Sequence, residues 1–98
     1  MYAVVWEYAV APDRVDAFEA AYGAGGAWEK LFAEAEGYLG TDLYQAAGGG
    51  DRYVTIDRWR SLADFDAFKA RFGEAYAALD AQCEALTTSE LRLGEIAG

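Results

Sequence analysis

A phosphate site could be sought first in the stretch YGAGGAWEKLF, residues 22–32 of this sequence. Glycine-rich loops that open onto helices bind nucleotide phosphates, because their free N–H groups converge at the positive end of the helix dipole. The nucleotide motifs need a strand before the glycines or a lysine and a hydroxyl residue directly after them, and neither feature is present. The glycines therefore predict a turn between two closely approaching helices.

Histidine and asparagine are both absent from the 98 residues. Without histidine there is no Ser-His or Cys-His nucleophilic pair, no typical zinc site and no histidine ligand for haem. Cys83 is the single cysteine and its helical spacing predicts a small core residue. No cofactor or metal site is predicted, although metal binding by carboxylates alone stays open.

Two of the charged residues within predicted strands, Arg58 and Glu7, are candidates for chemistry. Arg58 has the same strand parity as Val54 and Ile56, which predicts that it lies on the face covered by the helices, where an arginine costs free energy unless it has an anionic partner. It could bind an anionic substrate or pair with a helix carboxylate. Glu7 could act as a general base if its pKa were raised by burial, or it could pair with Arg92 of a second subunit.

Composition limits the classes of partner. A chain of 98 residues is expected to form one domain, residues 1–98, and 17 acidic against 8 basic residues give a formal charge of −9. This charge repels nucleic acid and anionic membrane surfaces. No apolar run reaches about 20 residues and no signal peptide is recognisable, so a cytoplasmic protein is predicted.

The apolar patterns predict the element order β-α-β-β-α-β, with the first helix split in two by the glycines. A long helix is predicted after the N-cap Ser61, with a bend at Gly73. The predicted strands are Tyr2–Val10, Tyr38–Gln45, Arg52–Arg60 and Thr87–Ile96. This order is that of the α+β ferredoxin-like sandwich.

Alternation within these strands predicts which side chains the helices cover. The predicted covered residues are Val4, Trp6, Tyr8, Leu39, Leu43, Val54, Ile56, Leu91 and Leu93. The predicted open face carries Val5, Tyr38, Tyr44, Tyr53 and Trp59 around Glu7, Asp42, Thr55, Asp57, Glu90 and Arg92. So much aromatic area favours a homodimer in which two sheets pack face to face, with a platform for a flat aromatic ligand as the alternative.

The chain resembles the antibiotic biosynthesis monooxygenase superfamily of dimeric α/β barrels over nearly its whole length. The segments that carry the resemblance are VVWEYAV, YGAGGAWEKLF, GYLG, RYVTIDRWRS and LDAQCEALTTSELRLG. The resemblance implies a ferredoxin-like homodimer with a ligand cavity between sheet and helices. The haem-degrading members use a histidine and an asparagine, which this sequence lacks.

Other members are small proteins without an established activity, and another branch consists of oxygenases that act on aromatic polyketides without a cofactor. Their sites use tryptophan, tyrosine, arginine and an amide side chain, and asparagine is missing here. The resemblance assigns Arg58, Trp28 and Tyr22 as catalytic candidates. It assigns Trp6, Trp59, Tyr76 and Phe32 as candidates for binding the substrate.

Two functions are therefore predicted from the sequence. The first is a cofactor-independent monooxygenase of a small phenolic, quinol or polyketide substrate. The second is a noncatalytic dimeric protein of the same fold that binds small aromatic molecules.

Overall fold

The computed structural model describes residues 1–98 and contains a four-stranded antiparallel sheet covered on one face by helices. The elements are β1 (Tyr2–Val10), α1 (Val15–Tyr22), α2 (Ala27–Ala33), β2 (Tyr38–Gln45), β3 (Arg52–Trp59), α3 (Leu62–Cys83), a 3-10 turn (Glu84–Leu86) and β4 (Thr87–Ala97). The strand order β2-β3-β1-β4 is that of the ferredoxin-like fold. The predicted α+β class, element order and split first helix are confirmed.

The helix boundaries follow local signals. Ser61 caps α3 by accepting a hydrogen bond of 3.1 Å from the backbone N–H of Asp64. The predicted bend lies one residue before Gly73, at Phe72, whose φ of −110° and ψ of 18° are not helical. Between α1 and α2 a side chain at Gly26 would overlap the carbonyl oxygens of Ala20 and Ala21. This glycine allows the close approach that the sequence predicted.

The core is a cluster of aromatic side chains between the sheet and the helices. Trp59, Phe18 and Phe68 are fully buried in it. The ring of Trp59 packs against Phe68 with 5.1 Å between centroids. Cys83 is buried in the same cluster, as predicted, and burial raises the pKa of its thiol.

The predicted faces are correct for β1 and wrong for β3. Val4 and Tyr8 are buried beneath the helices, as predicted. In β3 the helices cover Tyr53, Thr55, Asp57 and Trp59 instead of Val54 and Ile56, because Tyr8 pairs with Tyr53 and Val4 with Asp57. Both faces of β3 carry apolar residues, so alternation separates the faces but does not identify the covered one.

Bulges explain the errors in the edge strands. Pairing of β2 with β3 skips Leu39, and pairing of β4 with β1 skips Leu93. An extra residue in one strand reverses the parity of the residues beyond it. Leu39, Leu91 and Leu93 are therefore exposed instead of covered, whereas Leu43 packs against the core as predicted. Tyr38, Glu90 and Arg92 face the helix side, not the open face.

The open face of the sheet is the side without helices. Its central part carries Val5, Val54 and Ile56, with Tyr44 and Leu91 exposed on the flanking strands. Tyr44 and Leu91 are 55% and 58% exposed in the single subunit. The apolar open face predicted from the sequence is present, with aliphatic side chains where aromatic ones were expected. No helix is both long and apolar enough to cross a membrane.

Candidate functional site

A cavity with two adjacent lobes lies between the sheet and the helices. The first lobe has a volume of about 220 Å³ and the second of about 360 Å³. Four residues line both lobes: Trp6, Phe32, Asp57 and Tyr76. Volumes of this order suit a small organic ligand.

The first lobe is walled mainly by aromatic rings. Tyr22 at the end of α1, Trp28 on α2 and Tyr76 on α3 meet there, with centroids of adjacent rings 5.1 to 5.8 Å apart. The glycine turn after Tyr22 brings α2 against α1, so that Trp28 reaches the same space. Apart from these rings and the residues that line both lobes, the wall consists of Tyr8, Thr55, Asp80 and Glu90.

The second lobe has a different polarity. Lys69 and Gly73 of α3 and Arg92 of β4 line it, together with Val4 and Phe65. Lys69 lies 3.5 Å from Asp66, and Arg92 donates a hydrogen bond of 3.2 Å to Glu95. Each cation is thus paired with a carboxylate on the same secondary-structure element, Lys69 on α3 and Arg92 on β4.

Asp57 is the carboxyl group at the junction of the lobes. It lies on β3, opposite Val4 of β1, and is half-buried among the rings that line both lobes. Burial raises the pKa of Asp57 to about 6, although a hydrogen bond from Thr41 opposes the rise. A carboxyl group with this pKa can accept a proton near neutral pH.

A chain of hydroxyl groups holds Asp57. Thr41 Oγ1 donates a hydrogen bond of 2.8 Å to Oδ1 of Asp57, and the Tyr38 hydroxyl lies 2.6 Å from the same Thr41 oxygen. Because the proton of Thr41 is engaged with Asp57, Tyr38 donates to Thr41. Oδ2 of Asp57 accepts no hydrogen bond from the protein and is the carboxylate oxygen left for a ligand.

The tyrosines of the cavity remain protonated at neutral pH. Burial raises the pKa of Tyr76 to about 12 and raises the pKa values of Tyr8 and Tyr22 further. These side chains are therefore hydrogen-bond donors. They are not bases.

The first lobe is also lined by two further acidic residues, Asp80 and Glu90. Burial raises the pKa of the Glu90 carboxyl, and the neighbouring charges of Asp80 and Glu84 add to the rise. No lysine or arginine lies within ion-pair distance of Asp57, Asp80 or Glu90. These carboxyl groups are also not clustered closely enough to hold a metal ion.

The cavity contains five of the seven side chains that the sequence singled out. Trp6, Tyr22, Trp28, Phe32 and Tyr76 all line it. Trp59 does not, because it is 0% exposed and packed in the core behind Phe32.

Arg58 lies on the open face, and the prediction that it faces the core is wrong. It donates a hydrogen bond to Asp42 and forms an ion pair with it, and both side chains are about one-third exposed (34% and 38%). Arg58 does share strand parity with Val54 and Ile56, but that whole set faces away from the helices. Arg58 therefore has no contact with the cavity.

Glu7 is on the open face, as predicted, but its partner is in its own subunit. Its Oε1 accepts a hydrogen bond of 2.8 Å from Arg52 on the neighbouring strand. Arg92, the expected partner in a second subunit, faces the cavity instead. Neither the base role nor the partner predicted for Glu7 fits this position.

Sequence reasoning missed Asp57 and Thr41, although an indicator was present. Asp57 alternates with Tyr53, Thr55 and Trp59, a set richer in aromatic rings than Val54 and Ile56. Large rings are the side chains that fill the space beneath helices in a small domain. Placing them inside would have placed Asp57 inside as well.

A family model describes most of this chain. The model of the family "antibiotic biosynthesis monooxygenase" matches residues 1–81, which include every residue of the cavity except Glu90 and Arg92. The chain belongs to the antibiotic biosynthesis monooxygenase family. The resemblance seen in the sequence is confirmed.

Solved structures with the same fold accompany this family assignment. A Nitrosomonas europaea protein named for the same family has 18% identity and a TM-score of 0.74, over 100% of this chain and 98% of its own. SnoaB from Streptomyces nogalater, a cofactor-independent oxygenase, has 20% identity and a TM-score of 0.71, over 99% of this chain and 91% of its own. A Mycobacterium tuberculosis protein reaches 24% identity and a TM-score of 0.72, over 99% and 93%.

At identities of 18 to 24%, these structural similarities establish only the fold of this monooxygenase-family protein. Comparison with curated proteins gave no match.

Proposed function

We propose that this protein is a cofactor-independent monooxygenase that acts on a small aromatic substrate of the phenol, quinol or polyketide class. The observation that carries the proposal is the aromatic cavity with a single carboxyl group at the junction of its lobes. Rings such as Trp6, Phe32 and Tyr76 offer faces and edges on which a flat substrate can stack. Membership of the monooxygenase family supports the reaction class.

The chemistry relies on the substrate as the reductant. An electron-rich phenolate or enolate can transfer electrons to dioxygen once it is deprotonated and held away from water. For a substrate with an activated methylene group, one oxygen atom enters the product as a carbonyl, and the other leaves as water with the two methylene hydrogens. The protein then has to bind the ring, exclude water and control the proton.

The proposed roles of the cavity residues follow from their positions. Trp6, Phe32 and Tyr76 hold the ring at the junction, and Tyr22 and Trp28 close the inner end of the first lobe. The raised pKa values of Tyr22 and Tyr76 keep both hydroxyl groups available to donate hydrogen bonds to a substrate oxygen. Arg58 and Trp59, which lie outside the cavity, have no part in this proposal.

The proposed assembly is a homodimer that joins the open faces of two sheets. Val5, Val54 and Ile56 form an apolar centre there, and Leu91 extends it. A symmetric pair would cover this apolar surface, which helices leave bare in a single subunit. The dimer would leave the cavity free, because the cavity lies on the other side of the sheet.

A second function, noncatalytic binding of small aromatic molecules, is favoured by one observation. The chain contains no asparagine, whereas the resemblance implies an amide side chain in the sites of the polyketide oxygenases. Under this alternative the same cavity binds a ring without reducing dioxygen.

Oxygen uptake with a panel of anthrones and hydroquinones separates the two functions. We expect uptake above the rate of autoxidation, and loss of that uptake in Gly73→Leu. An added Cβ at Gly73 meets no atom within 4 Å, and the position lines the second lobe with Phe65 and Lys69, so we expect a leucine there to reduce the space in that lobe. Gly48→Leu, in the exposed hairpin loop, is the matched control. Tight binding without uptake would support the binding protein instead.

A further inference from the structure

The carboxyl group of Asp57 has a position that no other acidic group of the chain shares. It is the one carboxylate that lines both lobes, whereas Asp80 and Glu90 reach the first lobe alone. Asp57 is on a central strand of the sheet and forms part of the wall at the junction of the lobes. The position is therefore suited to a reaction with a substrate that occupies both lobes.

The cost of burying Asp57 is not offset by a structural ion pair. Its one protein partner is the hydroxyl group of Thr41, and the two cations of the second lobe are paired with Asp66 and Glu95. Burying a carboxyl group without a cation beside it costs free energy, so its presence here points to a functional role. A leucine or threonine at this position would suit a purely structural role better.

The surroundings favour uptake of a proton over its release. The hydroxyl groups of Tyr38, Thr41 and Tyr76 are near it and remain protonated at neutral pH. The other charged groups that line its lobes are Asp80 and Lys69 from α3 and Glu90 and Arg92 from β4. Thr41 fixes Oδ1, which leaves Oδ2 without a hydrogen bond from the protein.

We propose that Asp57 is the general base that deprotonates the substrate at the junction of the two lobes. The inference rests on the proposed function and specifies which residue performs its first step. The O–H bond of a phenol or enol breaks, its proton moves to Oδ2 of Asp57, and the electron pair stays on the substrate oxygen. Thr41 and Tyr38 position the carboxylate and do not exchange the proton.

This step matches the properties of the group that performs it. With a pKa of about 6 the carboxyl group is ionised at neutral pH, yet it is more basic than an ordinary aspartate. Proton transfer from a neutral phenol moves the negative charge from Asp57 to the substrate and leaves the net charge of the cavity unchanged. No additional charge has to be buried for the substrate to ionise.

The test compares Asp57→Asn with wild type in two measurements. The first is anaerobic binding of 3-nitrophenol from about pH 5 to about pH 7, a range in which the free phenol stays mostly protonated. The second is oxygen uptake with the anthrone panel across pH. Asp42→Asn is the matched control, because it is the same substitution on the open face.

Because the pKa of Asp57 lies below that of the phenol, the bound phenol stays neutral and donates its O–H to ionised Asp57, so its affinity for wild type and Asp42→Asn should rise with pH around a midpoint near 6. Asp57→Asn should bind it with a Kd that does not change across this pH range. We expect kcat for oxygen uptake to fall by roughly 10²-fold or more in Asp57→Asn. The wild-type rate should rise with pH around a midpoint near 6, and this midpoint should vanish in the variant.

The outcomes separate the two proposals. If Asp57→Asn keeps the pH midpoint of phenol binding, or keeps kcat within threefold of wild type, Asp57 is not the base, whatever the protein does with oxygen. If wild type takes up no oxygen but its binding of the phenol has a midpoint near 6 that Asp57→Asn loses, the contact of Asp57 with the substrate O–H stands and the monooxygenase function fails.

Discussion

Thr41 on β2 donates a hydrogen bond of 2.8 Å to Asp57 on β3, and through it the edge of the sheet positions the carboxyl group at the centre of the cavity. Tyr38 supports Thr41 from the start of the same strand. The pair explains why a carboxyl group that burial disfavours keeps one defined orientation. The burial of Asp57 also sets a pH dependence of stability.

The contribution of Asp57 to the stability of the wild type should fall as the pH rises from about 4 to about 6. The native state holds the proton of Asp57 up to a pKa of about 6, whereas the unfolded chain loses it near 3.8. The contribution of neutral Asp57 is therefore complete below about pH 4 and lost above about pH 6, which corresponds to at most about 3 kcal/mol. Chemical unfolding across this pH range measures it.

Asp57→Asn isolates that contribution from those of other carboxyl groups. The variant should equal wild type below about pH 4 and exceed its free energy of unfolding by up to about 3 kcal/mol at pH 7. The carboxyl groups of Asp64 and Glu95, with lowered pKa values, act in the opposite direction but are common to both proteins. A pH-independent difference between the two would contradict the burial of an ionisable Asp57.

Trp59 should contribute packing and not a hydrogen bond. Its Nε1 is buried without a partner, so Trp59→Phe removes an unsatisfied N–H group along with part of a ring. We expect Trp59→Ala to cost about 3 to 5 kcal/mol of unfolding free energy and Trp59→Phe clearly less. Thermal and denaturant unfolding of the two variants measure the difference. Equal losses would indicate that the N–H group has a partner.

Arg58→Ala should leave ligand binding in the cavity unchanged. Arg58 pairs with Asp42 on the open face, and both side chains are partly exposed, so loss of the pair should cost at most about 1 kcal/mol in the single subunit. Fluorescence titration with an aromatic acid measures the affinity, and thermal melts measure the stability. A tenfold loss of affinity would contradict this prediction and show that Arg58 contributes to ligand binding.

Leu91→Glu should weaken the proposed homodimer. Leu91 is 58% exposed on the open face, where a second sheet would bury the introduced charge without a partner. Leu62→Glu is the control, because Leu62 is 48% exposed at the start of α3, on the helix side. Sedimentation velocity should show a dimer for wild type and Leu62→Glu, and monomer at the same concentration for Leu91→Glu. A wild-type monomer at all concentrations would refute the assembly.

Gly26→Ala should destabilise the protein, whereas Gly48→Ala should have little effect. An added Cβ at Gly26 would overlap two carbonyl oxygens of α1, and at Gly48 it would meet nothing within 4 Å. Backbone must therefore move in the first case, at a cost of roughly 1 to 3 kcal/mol. Because α2 carries Trp28 and Phe32, Gly26→Ala should also weaken ligand binding in the cavity. Titration of the folded fraction with an aromatic ligand checks this.

The sequence alone determined the order of elements, the split first helix, the cap of α3 and most of the aromatic cavity wall. These features depend on local causes: periodicity within one element, a serine beside a helix start, or glycines between two apolar stripes. Four wall residues could be predicted because helical spacing places them on helix faces that must be covered. They are Tyr22, Trp28, Phe32 and Tyr76.

The tertiary structure decided which face of each strand the helices cover, and with it the identity of the polar site. Alternation divides β3 into two sets but is unchanged when the strand is turned over, so Arg58 and Asp57 exchange places if the wrong set is put inside. The bulges at Leu39 and Leu93 reverse parity in the edge strands, and pairing with a neighbour is what reveals them. The face was chosen by packing, because Tyr53 and Trp59 fill the space beneath the helices and carry Asp57 inside with them.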